Sequence, residues 1–272
     1  MGGGEPEPFL SGESGTILGP RRIATATVAD ALLDARRALR LEPWRLARAA
    51  RRAPPRRRVL AAGVEREDRD GLLGAAVAEL RRSRHDVVVR TGPAGDRGKW
   101  ENLDRLIGPG GLGDRDWLLA VDDDVALPRG FLDSFLFLAE RFDLALAQPA
   151  HRRRSHAAWS VTRRKGGSVV RETGFVEIGP LTAFRADAAR ELLPFPPLRT
   201  GWGLDAVWAA VARERGWRMG VVDATPVGHA LGKVAGGYDH AAAVAESREL
   251  LRAHAHVTAA EANRTLVAHR RW

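Results

Sequence analysis

Three consecutive carboxylates, Asp122-Asp123-Asp124, follow directly on the apolar run Trp117-Leu118-Leu119-Ala120-Val121. Adjacent carboxylates repel one another, and each would be solvated at less cost elsewhere. Oxygen ligands of this kind suit Mg²⁺ or Mn²⁺, and either ion can hold a diphosphate. The plain alternative is a turn in which Asp124 caps the following segment. Further along, Asp205 comes after Gly201-Trp202-Gly203-Leu204 and opens a helical pattern. It reads either as a general base or as that helix's N-cap. His229 ends the segment that begins at Gly220; a neutral imidazole there can ligate Mn²⁺ if a partner fixes its tautomer. Trp202, between two glycines, offers a face for stacking on a sugar or an anchor for its loop. Arg152–Arg154 and Arg163-Arg164-Lys165 could screen phosphate oxygens bidentately or lie solvated in a loop. Arg163, just after Trp159-Ser160-Val161, is the best placed of them to meet a ligand.

These residues need a scaffold, and the patterning from Val59 onward supplies one. Strands are predicted at 59–64, 85–90, 117–121, 144–147, 175–184 and 218–222. Helices are predicted at 71–82, 99–107, 131–141, 187–193, 205–215 and 239–254, and Thr258 with Glu261 makes a capping box for a short further helix. Strands alternating with helices of this length imply βαβ units and a mostly parallel, buried sheet. The acidic cluster then falls at the C-terminal edge of that sheet, where open α/β folds place their ligands.

Residues 1–22 read as a loose leader. Thr27 and Asp30 resemble a helix start, after which Val28, Ala31, Leu32, Ala35 and Leu39 share one face expected to pack on the body. A second helix runs from Trp44 to Arg52. Residues 36–58 carry ten arginines and one acid, a local net of +9 that equals the net charge of the whole chain. The remainder is therefore neutral. Such an arm can lie solvated on the body, touch an anionic membrane surface, or bind nucleic acid; the last is the weakest reading, because aromatic interleaving is missing. Only three of the 43 basic residues are lysine, a bias that fits a GC-rich genome better than selection for phosphate contacts. The chain has no cysteine, which removes disulfides and thiolate catalysis and leaves a reducing cytoplasm as the expected compartment. No Walker loop is present, and a phosphatase reading of the aspartates lacks its supporting lysine and threonine motifs.

Together, Trp117–Asp124 and the helix after Pro128 resemble the DxD segment of nucleotide-sugar glycosyltransferases of the GT-A fold, family 2 in particular. Gly98-Lys99-Trp100-Glu101-Asn102, Gly179–Arg185, Gly201–Asp205 and Gly220–His229 resemble later motifs of that family, in its order. The resemblance covers about residues 58–255. It implies a Rossmann-type α/β domain over 58–272, preceded by a leader and basic helical extension over 1–57. Within it, 58–149 would form the nucleotide-binding half, 150–255 the acceptor half and 256–272 a C-terminal helix. It also implies metal-dependent transfer from a UDP- or GDP-sugar to an unidentified acceptor. Asp124 and His229 would hold Mn²⁺ or Mg²⁺, and Lys99, Asn102, Asp122, Asp123 and Arg163 would contact the donor. Trp202 and Gly203 would face the acceptor or sugar, and Asp205 would be the base. The sequence departs from the family where a leucine precedes Asp205 in place of an acid, and where the first strand lacks a clear base-contacting aspartate; Glu65 and Asp68 are candidates. A silent nucleotide-sugar- or glycan-binding relative and a basic-arm adaptor for membranes or nucleic acid are the alternative functions. For the enzyme, the arm is expected to be dispensable for donor chemistry, with peripheral attachment to the inner membrane face as its membrane role.

Overall fold

The computed structural model describes residues 9, 19–53, 55–66, 71–229 and 239–272. Asp68 lies outside them. Two helices come first, α1 (Pro20–Leu39) and α2 (Glu42–Arg52). The α/β body follows as β1 (Arg58–Glu65), α3 (Leu73–Leu80), β2 (Asp86–Pro93), α4 (Lys99–Ile107), β3 (Trp117–Asp122), β4 (Val125–Ala126), α5 (Phe131–Arg141) and β5 (Leu144–His151). After a 3₁₀ turn come β6 (Val170–Thr173), β7 (Leu181–Arg185), α6 (Ala186–Leu192), α7 (Leu204–Glu214), β8 (Arg218–His229), α8 (His240–Ala253), α9 (Ala259–Ala262) and β9 (Thr265–His269).

The main path of the sheet is β2-β1-β3-β7-β5-β8-β6-β9, with β4 paired to β8 off that path. Strands β1, β2, β3, β5 and β8 run the same way, and β7 is inserted antiparallel between β3 and β5. The central strands are buried along nearly their whole length and mostly apolar, because both faces are covered. Alternate side chains go to opposite layers. Leu60, Ala62, Leu118 and Ala120 join Trp100 and Leu103 of α4, Trp208 of α7 and Leu250 of α8. Val59, Ala61, Trp117, Leu119 and Val121 join Leu46 of α2, Leu73 of α3 and Phe135 of α5. The sheet is thus mostly parallel and flanked by helices, with a helical extension at the N-terminus.

Several expected boundaries shift. The strand expected over 175–184 begins only at Leu181. At Gly179 the chain passes so close to Asp122 that a Cβ would stand 2.5 Å from its Oδ2, and the Asp122 N–H donates to Pro180 O at 2.8 Å. Strands β5 and β8 run on to His151 and His229, past the predicted ends, because they pair with each other and β8 also pairs with β4. The helix expected to start with Asp187 as its cap begins at Ala186 with Arg185 as its cap, and Asp187 sits in the first turn with its carboxylate on the Arg185 guanidinium. The C-terminal 256–272 is not one helix. The Thr258–Glu261 capping box forms as expected, but it starts a single turn, and Thr265–His269 adds an edge strand to β6.

The extension docks by the opposite face from the one expected. Helix α1 starts at Pro20, a favoured first-turn residue, and Thr27 is interior, its hydroxyl donating to Ile23 O at 2.8 Å. Val28, Leu32 and Leu39 are 60%, 66% and 87% exposed. The body-facing side carries Asp30, Asp34 and Arg37. Asp30 is buried and accepts the N–H groups of Arg153 and Arg154, each at 3.1 Å. Asp34 pairs with Arg152 and Arg164, each at 2.7 Å. Arg164 is itself buried, so the arginine loop needs these carboxylates more than it needs an apolar partner. Within the expected leader, Phe9 is buried, stacked on Trp159 with ring centroids 4.6 Å apart.

Candidate active site

The third strand delivers the aspartates to the sheet edge and β4 turns back across it. Val125 of β4 pairs with His229 of β8, which sets His229 beside Asp124. Its Nε2 lies 3.2 Å from Asp124 Oδ1. Ligand atoms of Asp122, Asp124 and His229 all fall within 4.8 Å of one another, the one such cluster of possible metal ligands among the described residues. On its other side His229 is oriented by the 151–156 loop. Its N–H donates to Ser155 Oγ at 2.9 Å, and its Nδ1 faces His156 O at 3.4 Å. That contact favours a proton on Nδ1 and leaves Nε2 to the carboxylates.

Two cations flank the triad. Lys99, in the first turn of α4, places Nζ 2.6 Å from Asp122 Oδ1 and donates to Ile178 O at 2.7 Å. Arg66, just beyond β1, engages Asp123 through its guanidinium and its backbone N–H, and reaches Asp124 Oδ2 at 3.1 Å. Asp123, 2% exposed, is therefore turned onto Arg66 and stands outside the triad. Burial pushes the Asp122 carboxyl up against the pull of Lys99. Burial acts on Asp124 too, but the His229 hydrogen bond and the charges of His229 and Arg66 outweigh it and hold Asp124 well below its usual range. Burial disfavours the His229 imidazolium, yet the Asp124 and Asp122 carboxylates leave its pKa raised.

A second group of acids lies behind the first. Asp205 is buried in the first turn of α7, whose N-cap is Gly203 at φ 90°, so the capping role expected for Asp205 belongs to the glycine. Its carboxylate accepts the N–H groups of Ala206 and Ile178, and burial with the nearby Glu177 charge pushes its pKa up to about 8. Glu177 is buried as well and raised to about 7 by desolvation, although Ala158 N–H and Thr162 Oγ1 donate to it at 2.9 and 2.8 Å. His151 lies 3.7 Å from Glu177, wholly buried, and desolvation holds its pKa well below the usual value.

The remaining predicted residues lie outside the triad and make contacts of their own. Asn102 is buried and donates to Ala94 O at 2.8 Å, tying the loop after β2 to α4. Arg163 donates through its guanidinium to the carbonyls of Arg153, Ser155 and Ala157, and so braces the loop behind His229. Trp202 is half-buried, its ring edge-on to His240 at 5.2 Å. Glu65 is exposed at the end of β1. Sequence reasoning missed Arg66, His151 and Glu177. For Arg66 the available signal was a cation at a strand end, level with the aspartates; for Glu177, an acid inside an apolar run.

An orphaned oxygen tests whether a cation suits this site. With His229 neutral and its proton on Nδ1, the buried Asp124 Oδ1 accepts no hydrogen bond among the described residues, which is costly for a charged oxygen. Two carboxylates and an imidazole converging there fit a divalent ion such as Mn²⁺ or Mg²⁺, and the imidazole favours the former. No family model matches the chain, and no curated protein matches it in sequence. Among solved structures it is similar to A197 from STIV, at 11% identity over 65% of this chain and 87% of that one, with a TM-score of 0.43. It is also similar to GalNAc-T7, crystallised with UDP, GalNAc and Mn2+, at 12% identity over 64% of this chain and 43% of that one, with a TM-score of 0.42. No helix among the described residues is long and apolar enough to cross a membrane.

Proposed function

We propose that the chain is a divalent-metal-dependent glycosyltransferase using a nucleotide-sugar donor. The observation that carries this reading is the convergence of Asp122, Asp124 and His229 at the sheet edge with Lys99 and Arg66 beside them. The order of motifs along the sequence supports it; neither structural likeness enters the argument. Three aspartates are offset by two cationic side chains, so a divalent ion held with neutral His229 would turn the edge net positive. Such an edge suits a diphosphate, and the bound ion would supply charge stabilisation for the diphosphate leaving group.

Lys99 is placed to follow the donor phosphates while still restraining Asp122. Arg66 neutralises Asp123 and fixes the Asp124 carboxylate. Asp205 is the base for the acceptor hydroxyl, and a pKa of about 8 places it near working pH, where proton transfer by a carboxylate is most effective. Trp202 and Gly203, just ahead of it, border the acceptor.

A thermal-shift panel of nucleoside diphosphates and their sugars, with and without Mn²⁺, tests the reading. A ligand at 100 times its Kd should stabilise the native state by about 2.7 kcal/mol. The expected result is a shift with one nucleoside that requires the metal. No shift with any nucleotide, or one indifferent to metal, would sink it.

A further inference from the structure

Five of the eight large apolar side chains that stand exposed among the described residues cluster in the N-terminal helix pair: Val28, Leu32, Leu39, Leu41 and Trp44. Val28, Leu32 and Leu39 form a stripe at helical spacing on α1, opposite the side on which Asp30 meets the body. Trp44 projects from α2 on the side away from the buried Leu46 and Ala50. Leu41, in the two-residue joint, takes φ 53°, a conformation that glycine or asparagine would adopt at less cost. The turn does not ask for leucine there.

The charge around this stripe is all of one sign. Arg36, Arg40, Arg45, Arg48, Arg51 and Arg52 are exposed, and none has a carboxylate partner among the described residues. Arg48 instead sits over the Trp44 ring, 5.4 Å from its centroid. By contrast Arg37 turns inward, pairing with Glu42 at 2.8 Å and donating to Ala224 O. The sequence thus separates an inward, neutralised arginine from outward ones left uncompensated.

We infer that the outward face of α1 and α2 docks on an anionic lipid surface, with Leu32, Leu39, Leu41 and Trp44 entering the interface and the arginines meeting headgroup phosphates. An apolar stripe bordered by unpaired cations complements such a surface on both counts. A second copy of the chain would set arginine against arginine. A polyanion without an apolar layer would leave the leucines in water. This inference does not depend on the proposed enzymatic reaction.

The test is co-sedimentation of the full chain with phosphatidylcholine vesicles, with and without phosphatidylglycerol. Three forms are compared: wild type, Leu32→Ser/Leu39→Ser/Trp44→Ser, and Arg45→Gln/Arg48→Gln/Arg51→Gln/Arg52→Gln. Wild type should bind only the anionic vesicles and release as salt rises, and each variant should bind at least about tenfold more weakly with an unchanged melting temperature. If the triple variant melts earlier, Trp44→Ser alone carries the test, its side chain being 59% exposed. Equal binding to neutral vesicles, binding that ignores the apolar substitutions, or capture by RNA or an acidic protein in preference to anionic vesicles would each overturn the inference.

Discussion

Lys99 and Asp205 hold the same residue, Ile178, from its two sides: the ammonium donates to its carbonyl oxygen at 2.7 Å, and the carboxylate accepts its N–H. Residue 179 then passes against Asp122, whose other restraint is Lys99 itself, 2.6 Å away. The predicted donor and acceptor segments are therefore tied through one residue, and substitutions at either end should be read for effects at the other.

A metal held by Asp122, Asp124 and His229, as proposed, would give neighbouring aspartates unequal roles. Asp124→Asn should weaken Mn²⁺ binding by at least about 100-fold, because an amide oxygen is a poor substitute for a carboxylate at a hard cation. Asp123→Asn should leave that affinity within a few-fold but lower stability by about 1–2 kcal/mol, since half-exposed Arg66 loses its main partner. Calorimetric titration and urea melts separate the two. Equal loss of binding in both variants would remove the distinction between them.

Metal and proton should compete for His229. Its pKa is raised by Asp124 and Asp122 against the cost of burial, so below that pKa a metal must displace a proton. Mn²⁺ affinity should fall as pH drops from 8 to 6, with proton release detected from the dependence of the heat on buffer ionisation. Zero proton release across that range would contradict the assignment.

Asp205 and Glu177 make stability depend on pH in a stated direction. Both carboxyls titrate near their ordinary ~4 when unfolded, but at about 8 and about 7 in the fold. Below about pH 4 both states hold the protons, and above it only the native state does. Native protein then binds more protons, so stability is fully present in acid and is lost as pH rises through 7 and 8. Asp205→Asn and Glu177→Gln, which stay neutral, should melt higher than wild type at pH 8, by about 5 °C, and should match it near pH 4. A wild-type melting temperature that climbs from pH 5 to 8 with no difference in the variants would refute the burial argument.

Removing the carboxylates of α1 should be costly. Asp30→Asn/Asp34→Asn leaves Arg164, 3% exposed, without an anion, and loss of one partner of a buried pair typically costs about 3–5 kcal/mol. Adding Arg164→Met should recover part of that loss. The extension, expected to be dispensable for donor chemistry, should still matter for stability: a chain starting near Arg57 loses Asp30, Asp34 and the buried Leu46.

What was legible in the sequence follows from the range of each interaction. Helices α4 and α5 begin and end where the pattern places them, because a 3.6-residue period and local sterics are enough to define them. The capping box at Thr258 was legible for the same reason. The reversed docking of α1 was not. An apolar stripe normally faces inward, and only the later loop of Arg152 and Arg164 makes Asp30 and Asp34 the better inward face. Likewise His229 could be singled out by type, but its place beside Asp124 depends on the register of β4 on β8, a pairing between strands about a hundred residues apart. Glu177 escaped notice because its segment reads as strand, while the chain there is bent past Asp122.

On the proposed reading, the proton transfer rests on Asp205. It is 4% exposed, satisfied by backbone N–H groups, and pushed up to about 8, which is the environment of either a well-buried structural acid or a base tuned to neutral conditions. Asparagine keeps an oxygen for the Ile178 N–H, so Asp205→Asn should fold, and at pH 8 should melt above wild type. As the base, its loss should lower kcat by about 10²–10⁴-fold with the Kd for donor and metal nearly unchanged, since proton transfer typically contributes that much. The wild-type rate should rise about tenfold per pH unit toward pH 8 and then level, because only the ionised fraction accepts the acceptor's proton. A structural acid predicts the reverse, with turnover in Asp205→Asn close to wild type and a pH profile that does not bend near 8. Saturating donor must be verified in both proteins, so that a shift in KM is not read as lost chemistry. Near-normal turnover in the folded variant would move the base elsewhere or favour transfer with retention; a collapse in kcat at full donor occupancy would make direct displacement with inversion the mechanism to pursue.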